Sequence, residues 1–378
     1  MFELTEDQRA LVDTVRDFAG DRLAPHALAW DAEKHFPVDV LREAGELGLG
    51  GIYIGEEHGG SALQRSDAVL IFEELAKADP TVAAYISIHN MVVWMVDTFG
   101  SEEQKDHWLP RLVTMEALSS YCLTEPGAGS DAGALTTKAV RDGGDYVLNG
   151  VKQFISGAGY SALYLVMART ADSGHAGITA FLVPAEAPGL SFGANEKKMG
   201  WNAQPTAQVV LRNVRVPDSA RLGAEGQGFG IAMKGLNGGR LNIAACSLGG
   251  GQAALEKTVA YLKERRAFGE RLADMEALRF AVADMAMELD AARALLRVAA
   301  DALDRGAPDA LRLCATAKRV CTDAGYRVAD QAIQLHGGYG YLHEYGVEKI
   351  ARDLRVHQIL EGSNEIMRLI VGRQLLEG

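Results

Sequence analysis

Tyr121-Cys122-Leu123-Thr124-Glu125-Pro126-Gly127-Ala128-Gly129-Ser130-Asp131 stands where the patterning of the chain changes. Upstream of it the apolar residues follow a helical period. Thr5 with Gln8 three residues on makes a capping box, and Leu11, Val12, Val15, Phe18 and Ala19 recur at helical spacing. Ser66–Lys77 and Val82–Phe99 carry apolar residues in runs or at that spacing, divided by the loop signals Glu57-His58-Gly59-Gly60 and Asp79-Pro80. Residues 1–115 therefore read as an N-terminal all-α domain. Downstream, short apolar runs are punctuated by turn residues. Asn149-Gly150 between Tyr146-Val147-Leu148 and Val151–Ile155 predicts a type I′ hairpin, because both central residues need φ > 0. Leu163–Ala168, Ile178–Val183 and Gln208–Val216 extend the series, with Pro184, Pro188 and Pro217 outside strand interiors. Residues 116–222 read as a middle β domain, a barrel or sandwich. From about Gly226 the helical period returns, and Leu278, Val282, Met285, Leu289 and Leu296 share one stripe. Residues 223–378 read as a C-terminal helical bundle, so the fold class is α+β. No linker isolates the three parts, which are expected to pack as one unit.

The 378 residues are 48% hydrophobic and 23% charged, which excludes a disordered or fibrous chain. A net charge of −12 opposes binding along a phosphate backbone, so nucleic acid is not an expected partner. The 4 cysteines form no C-x-x-C pair and are too sparse for a disulfide framework, which suits a reducing compartment. The 9 histidines form no H-x(3–5)-H pair or Cys/His cluster, so no metal is assigned. The acidic start, Met1-Phe2-Glu3-Leu4-Thr5-Glu6-Asp7-Gln8, lacks an apolar leader core, and no later apolar run is read as long enough to span a bilayer. The expectation is a cytoplasmic protein, or a mature organelle form, with no membrane partner.

Three stretches can carry chemistry. The glycines of the 121–131 segment let backbone N–H groups approach a flat or anionic ligand. Gly127-x-Gly129-x-x-Ala132 loosely matches a dinucleotide fingerprint, with Asp145 at about the right distance, but the residues after it are strand-like where that motif needs a helix. Gln334-Leu335-His336-Gly337-Gly338-Tyr339-Gly340-Tyr341 could equally be a helix stop. In His357-Gln358-Ile359-Leu360-Glu361-Gly362-Ser363-Asn364-Glu365, a carboxylate between apolar Leu360 and a glycine could be desolvated and tuned for proton abstraction. Read singly, each is as well explained by an ordinary loop or a solvated glutamate.

Together, in this order and on an α–β–α background, they resemble the acyl-CoA dehydrogenase family over nearly the whole chain. The resemblance rests on Cys122-Leu123-Thr124-Glu125-x-x-Ala128-Gly129-Ser130-Asp131, on Gln334-x-x-Gly337-Gly338-x-Gly340-Tyr341-x-x-Glu344 with Lys349 and Asp353 in step, on Arg265-x-x-Phe268-Gly269, and on Glu361-Gly362-Ser363-Asn364-Glu365. It implies FAD between the β domain and the C-terminal helices, held by Tyr121, Leu123, Thr124, Gly129 and Ser130. Further FAD contacts are implied for Phe154, Ile155 and Ser156, for Arg265 (on the pyrophosphate) and Phe268, and for Ser363 and Glu365. Gln334, Gly337 and Gly338 are implied to reach a neighbouring subunit's FAD, hence a homotetramer. Phe154-Ile155-Ser156 stands where many relatives have Trp-Ile-Thr, and Glu276 where they often have Gln; an added charge near a pyrophosphate is unfavourable.

The resemblance makes Glu361 the base that takes the α-proton of a saturated thioester while a hydride leaves the β-carbon for the flavin. It places Ser130, Asn237, Arg240, Arg373 and Trp94 on the substrate, with Asn90, Met91 and Met95 near the acyl chain. Gly239 stands where the isovaleryl branch has its base, which disfavours that branch. Leu236–Ala244, Phe154–Gly159 and Gly200–Thr206 resemble the family's short-branched-chain members, which implies isobutyryl-CoA first, as in valine breakdown; 2-methylbutyryl-CoA or a short straight chain stays open. Electrons are expected to pass to electron-transfer flavoprotein. An oxidase is disfavoured because the chain ends soon after Glu361, and a non-catalytic acyl-CoA-binding flavoprotein because Glu361 is intact.

Overall fold

Helix α1 (Glu6–Phe18) starts at a full capping box, with Thr5 Oγ1 accepting the Gln8 N–H at 3.1 Å. The computed structural model describes residues 3–377, so Met1 and Phe2 of the acidic start, and Gly378, lie outside the described residues. After a π-helical turn come α2 (Ala27–Glu33), α3 (Val38–Glu46), α4 (Arg65–Ala78), α5 (Pro80–Phe99) and α6 (Glu102–Val113). Only Asp79 separates α4 from α5: it caps α5 by accepting the Thr81 N–H at 2.8 Å, with Pro80 at the first helical position.

One expectation fails at α5. Its 20 residues are long and apolar enough, by length and composition alone, to cross a membrane. The polar Ser87, His89 and Asn90 interrupt the run and hide it from a simple reading. Of its most apolar window 72% is buried inside the protein, against α4, α6, the first strand and the long helix that follows the sheet, so it is hydrophobic all round as a core helix is. Asn90 donates to the Leu49 and Ile86 carbonyls and accepts the Ile52 N–H, which offsets its burial internally.

The middle of the chain forms β1 (Ser119–Cys122), β2 (Lys138–Asp142), β3 (Asp145–Ser156), β4 (Leu163–Arg169), β5 (Ile178–Pro184), β6 (Leu190–Phe192), β7 (Thr206–Pro217) and β8 (Arg221–Leu222). They make one eight-stranded mixed sheet in the order β6-β7-β3-β2-β4-β5-β8, with β1 parallel to β4. The expected hairpin at Asn149-Gly150 is not there. The turn lies at Gly143-Gly144, between Asp142 and its partner Asp145, and Asn149-Gly150 sits inside β3 at a register shift against β7. Asn149 Oδ1 accepts the Asn213 N–H at 2.8 Å, and a Cβ on Gly150 would fall 2.3 Å from Thr137 Oγ1. Pairing of β3 on both edges overrides the local turn preference and leaves a bulge.

Strand β4 shows why this sheet seats against the helices. Leu163, Leu165 and Met167 point into a core shared with α5, α6 and the helix that follows the sheet; Tyr164, Val166 and Ala168 point into the β unit's own core with Tyr146, Leu148, Phe181 and Val209. A strand buried on both faces reads as a continuous apolar run, as this one does. Each such side chain contributes about 1.5–3 kcal/mol by leaving water.

Helix α7 (Gly228–Glu264) then runs 37 residues and packs along α4, α5, α8 (Glu276–Asp304) and α9 (Ala310–His336). A two-strand turn, β9 (Arg266–Ala267) and β10 (Glu270–Arg271), separates α7 from α8, and α10 (Val347–Arg355) and α11 (Asn364–Leu376) close the chain. The three parts are tied by a buried triad: Lys349 on α10 donates to Asp79 at 3.0 Å and to Asp353 at 2.7 Å. Asp353 also accepts from Thr81 Oγ1 and from the Trp201 N–H. One ammonium thus links the start of α5, helix α10 and a loop of the β unit.

Candidate functional site

Glu361 lies on the turn between α10 and α11, at φ 55°, a left-handed conformation uncommon for a residue with a side chain. The residue as a whole is half-buried, but both carboxylate oxygens are buried and have no hydrogen-bond partner. Such an unpaired buried carboxyl is costly, which marks the place as a site and not as packing. Burial pushes its pKa up to about 7, against the opposing pull of the Lys318 and Arg240 charges.

The space for this carboxyl is made by α7. A Cβ on Gly239 would lie 2.4 Å from Glu361 Oε2. The adjacent Arg240 donates from Nε to the Glu361 carbonyl at 3.3 Å and from Nη1 to Asn237 Oδ1 at 2.8 Å. Behind the turn, Leu360 packs with Trp201, Ala84 and Ile243, so α5, the β unit and α7 all back the same residue. Tyr121, at the end of β1, faces it: its hydroxyl is buried without a partner, and burial together with the Glu361 charge keeps it protonated.

The Gly-rich segment is held from behind by Glu125, whose buried carboxylate accepts from Lys152 Nζ at 2.8 Å and from the Thr136 and Thr137 N–H groups. Burial raises the Glu125 pKa, but the Lys152 charge and these donors outweigh it and draw it to about 2. Gly129 and Ser130 are left exposed at the tip, with Thr124 half-buried. The Thr124 carbonyl accepts the Gln153 N–H, which lays the segment beside β3. There Phe154 takes φ 59° and stands 63% exposed. The next residues behave differently: the Ile155 side chain is in the β core, and Leu123 has its side chain buried and its carbonyl taken by Lys152. Only their backbones can meet a ligand. Ser156 Oγ accepts from Gln204 Nε2, whose Oε1 remains buried without a partner.

A second group of expected residues lies elsewhere. Arg265 caps α7 with its guanidinium 5.2 Å from the Tyr339 ring centroid, beside exposed Gln334, Gly337 and Gly338 at the end of α9. Phe268 projects from the β9–β10 turn, 97% exposed. At about 1.5 Å per residue, the stretch of α7 from Arg240 to Arg265 spans roughly 37 Å. One chain therefore does not bring Arg265 and Glu361 to a common ligand end, and Arg265 groups with the Gln334–Gly338 patch. Glu276 opens α8, where its negative charge suits the helix N-terminus whatever it does toward a ligand. Ser363 and Glu365 open α11 next to Glu361, whereas Arg373 is exposed in its last turn.

Of the residues expected on the acyl side, Asn90, Met91 and Met95 are core. Trp94 instead lines a cavity of about 430 Å³ with Tyr53, Arg65, Lys234, Asn237 and Gly238. The Arg65 guanidinium lies 3.5 Å from the Tyr53 ring centroid and 5.4 Å from that of Trp94. Sequence reading missed Arg65, Tyr53 and Lys318, which carry no local motif. Gln204 was visible only as part of a family-like stretch.

A helical–sheet–helical chain with a buried, unpaired glutamate at the junction of its three parts has the makings of an enzyme that takes a proton from a weak acid. Residues 5–116, 120–214 and 226–376 match the acyl-CoA dehydrogenase N-terminal, middle and C-terminal domains, and the chain belongs to the acyl-CoA dehydrogenase family. It is 51% identical over 374 residues to the mitochondrial isobutyryl-CoA dehydrogenase of Bos taurus, covering 99% of this chain and 90% of that one. The structure of butyryl-CoA dehydrogenase from Megasphaera elsdenii is similar at a TM-score of 0.96 and 38% identity over 100% of both chains. That of a glutaryl-CoA dehydrogenase from Mycobacterium smegmatis in complex with FADH2 is similar at 0.94 and 31%, over 99% and 96%. The chain is accordingly a flavin-dependent oxidoreductase that uses acyl-CoA substrates.

The residues present fit a flavin. Glu361, Tyr121, Trp201 and Gln204 each hold a buried polar atom without a protein partner, and exposed Phe154 offers an aromatic face beside the Gly-rich tip.

Proposed function

We propose that this chain is an FAD-dependent dehydrogenase of short branched acyl-CoA thioesters, with isobutyryl-CoA as first substrate, and that it forms the 2-enoyl-CoA. The carrying observation is the Glu361 carboxyl: buried, unpaired, and poised near neutral pH, it suits a base for a weakly acidic C–H. Tyr121, Thr124, Gly129, Ser130, Phe154 and Ser156, with the backbones of Leu123 and Ile155, line the FAD side, and Ser363 and Glu365 close it. When bound, FAD supplies the acceptor for the hydride that leaves the β-carbon.

Glu361 takes the α-proton as that hydride departs, so one proton leaves toward Glu361 and one hydrogen with both electrons leaves toward the acceptor. The Glu361 backbone N–H is oriented by its left-handed φ to donate to the thioester carbonyl, where charge develops. Arg240 fixes the turn through the Glu361 carbonyl and Asn237, and both stand on the substrate side together with Ser130. Trp94 closes the acyl end; Arg373 holds the thioester's CoA portion.

Arg265, too far along α7 to share Glu361's ligand end, serves the FAD of a neighbouring subunit in a homotetramer together with Phe268, Gln334, Gly337 and Gly338. The parts 1–115, 116–222 and 223–378 then act as acyl, flavin and catalytic portions. Electron-transfer flavoprotein is the acceptor, and the cytoplasm suits four free buried cysteines.

The test is an anaerobic visible spectrum of the purified protein during additions of isobutyryl-CoA, 2-methylbutyryl-CoA, butyryl-CoA and isovaleryl-CoA. Bleaching of the oxidised flavin by isobutyryl-CoA at the lowest concentration is expected. Equal bleaching by butyryl-CoA discards the branched-chain preference, and a colourless protein discards the whole reading. Trp94→Ala is expected to raise activity on longer acyl chains relative to isobutyryl-CoA; an unchanged chain-length profile, measured as kcat/KM across a C4 to C8 series, removes Trp94 from the pocket.

A further inference from the structure

Lys318 lies in the middle of α9, 0% exposed, among Cys314, Ala315, Ala317 and Cys321. A lysine is almost never buried without a task or partners. Its ammonium donates to the Gly362 carbonyl at 2.8 Å and to Asn364 Oδ1 at 3.1 Å, residues 44 and 46 positions further along the chain. Neither acceptor is a carboxylate, so no ion pair at contact distance offsets the removal of its charge from water. The acid that most favours its charge is the carboxyl of Glu361, one residue before Gly362.

That stretch is otherwise held by Arg240, which donates to the Glu361 carbonyl, by neutral groups and by a single acid. Asn364 Nδ2 donates to Thr322 Oγ1 and to Asp323 Oδ1, and Gln358 Nε2 donates to the same oxygen. These bonds already tie Gln358 and Asn364 to α9 without using a cation. The charge itself calls for another reason.

We propose that Lys318 is a positioning residue for the reaction: its buried ammonium ties the Gly362–Asn364 turn to α9 and sets a positive charge behind the neighbouring Glu361 carboxyl. This rests on Glu361 being the base. The groups facing Glu361 are Lys318 on α9, Arg240 and Cys246 on α7, and Tyr121 on β1; those facing Lys318 are Glu361, Arg240, Asp323, Glu365 and the buried, neutral His357. Arg240 is directed at the Glu361 carbonyl and at Asn237, which leaves Lys318 as the cation contributed from the far side of the turn. Burial draws the Lys318 pKa down to about 8, and Glu361 resists that fall, so the two groups support each other's charge between about pH 7 and pH 8.

Without the ammonium, Glu361 becomes harder to ionise, and the acidic limb of the reaction must move to higher pH. Lys318→Met removes charge and hydrogen bonds, Lys318→Gln keeps a donor for the Gly362 carbonyl but no charge, and Lys318→Arg keeps the charge. The pH dependence of anaerobic flavin bleaching by isobutyryl-CoA is measured for each, with flavin content and Tm as folding controls. Independently of turnover, the protonated Glu361 carboxyl is titrated by infrared difference spectroscopy, with Glu361→Gln to assign its band.

Lys318→Met and Lys318→Gln are both expected to move the acidic limb and the infrared titration to higher pH, lowering the rate at pH 6.5 on the order of tenfold, while Lys318→Arg stays near wild type. A uniform loss in Lys318→Met that Lys318→Gln restores, with the titration unmoved, overturns the proposal and leaves Lys318 as a mere strut. If Glu361→Gln itself bleaches normally, the reading of Glu361 as base fails first, and that outcome is seen separately from any Lys318 result.

Discussion

Glu361→Gln is expected to slow substrate-driven flavin bleaching by about 10³-fold or more, with flavin content and acyl-CoA binding retained. The amide keeps the shape of the side chain and fills the space left by Gly239, so the loss belongs to proton abstraction and not to collapse of the turn. Stability should move the other way. The folded-state pKa of Glu361 is raised from 4.5 to about 7, so the protonated form suits the fold and its stabilising effect is lost as pH rises through 7. At pH 8 the ionised carboxyl costs on the order of 3 kcal/mol, and the glutamine variant should melt higher there while matching wild type near pH 4. Thermal melts of the flavin-free chain across that range check it. A variant that bleaches within tenfold of wild type, or that melts lower at pH 8, would count against a buried base at this position.

The second large effect concerns Lys349→Met. It strands Asp79 and Asp353, both 0% exposed, without the cation that neutralises them. Removing one member of a buried ionic group costs about 3–5 kcal/mol at neutral pH. The deficit should shrink at pH 5, because burial already pushes the Asp79 pKa up and the stranded Asp79 can then take up a proton. Adding Asp79→Asn and Asp353→Asn to the variant should recover part of the loss at pH 7, which a simple cavity could not explain. Because Asp353 holds the Trp201 N–H, and Trp201 packs on Leu360, the single variant is also expected to bleach more slowly where it remains folded. Chemical denaturation with bleaching rates on the same samples separates the two effects.

Local rules were legible wherever the chain answers to its near neighbours. The capping box at Thr5, the stripe on α8 and the runs of β4 need only the period of the backbone and the hydrophobic effect, and each formed as its pattern indicates. The failures have long-range causes. Asn149-Gly150 has the right local chemistry for a hairpin, yet β3 is paired by β2 on one edge and β7 on the other, and two ladders outweigh one turn preference. Helix α5 concealed its length behind His89 and Asn90, whose partners lie on other elements.

The candidate site divides along the same line. Motif order singled out Glu361, Tyr121 and Arg240 from the sequence by itself, along with the α–β–α order, the acidic charge and the absence of a Cys/His cluster in the chain. The sequence could not say that Lys318 reaches Gly362, that Arg65 stacks on Tyr53, or that Arg265 stands a helix length from Arg240. Nor could it raise the pKa of Glu361. That shift depends on how much water the packed elements α5, α7, α9 and the β unit exclude around one carboxyl, and desolvation is a property of the assembled core that no residue carries alone.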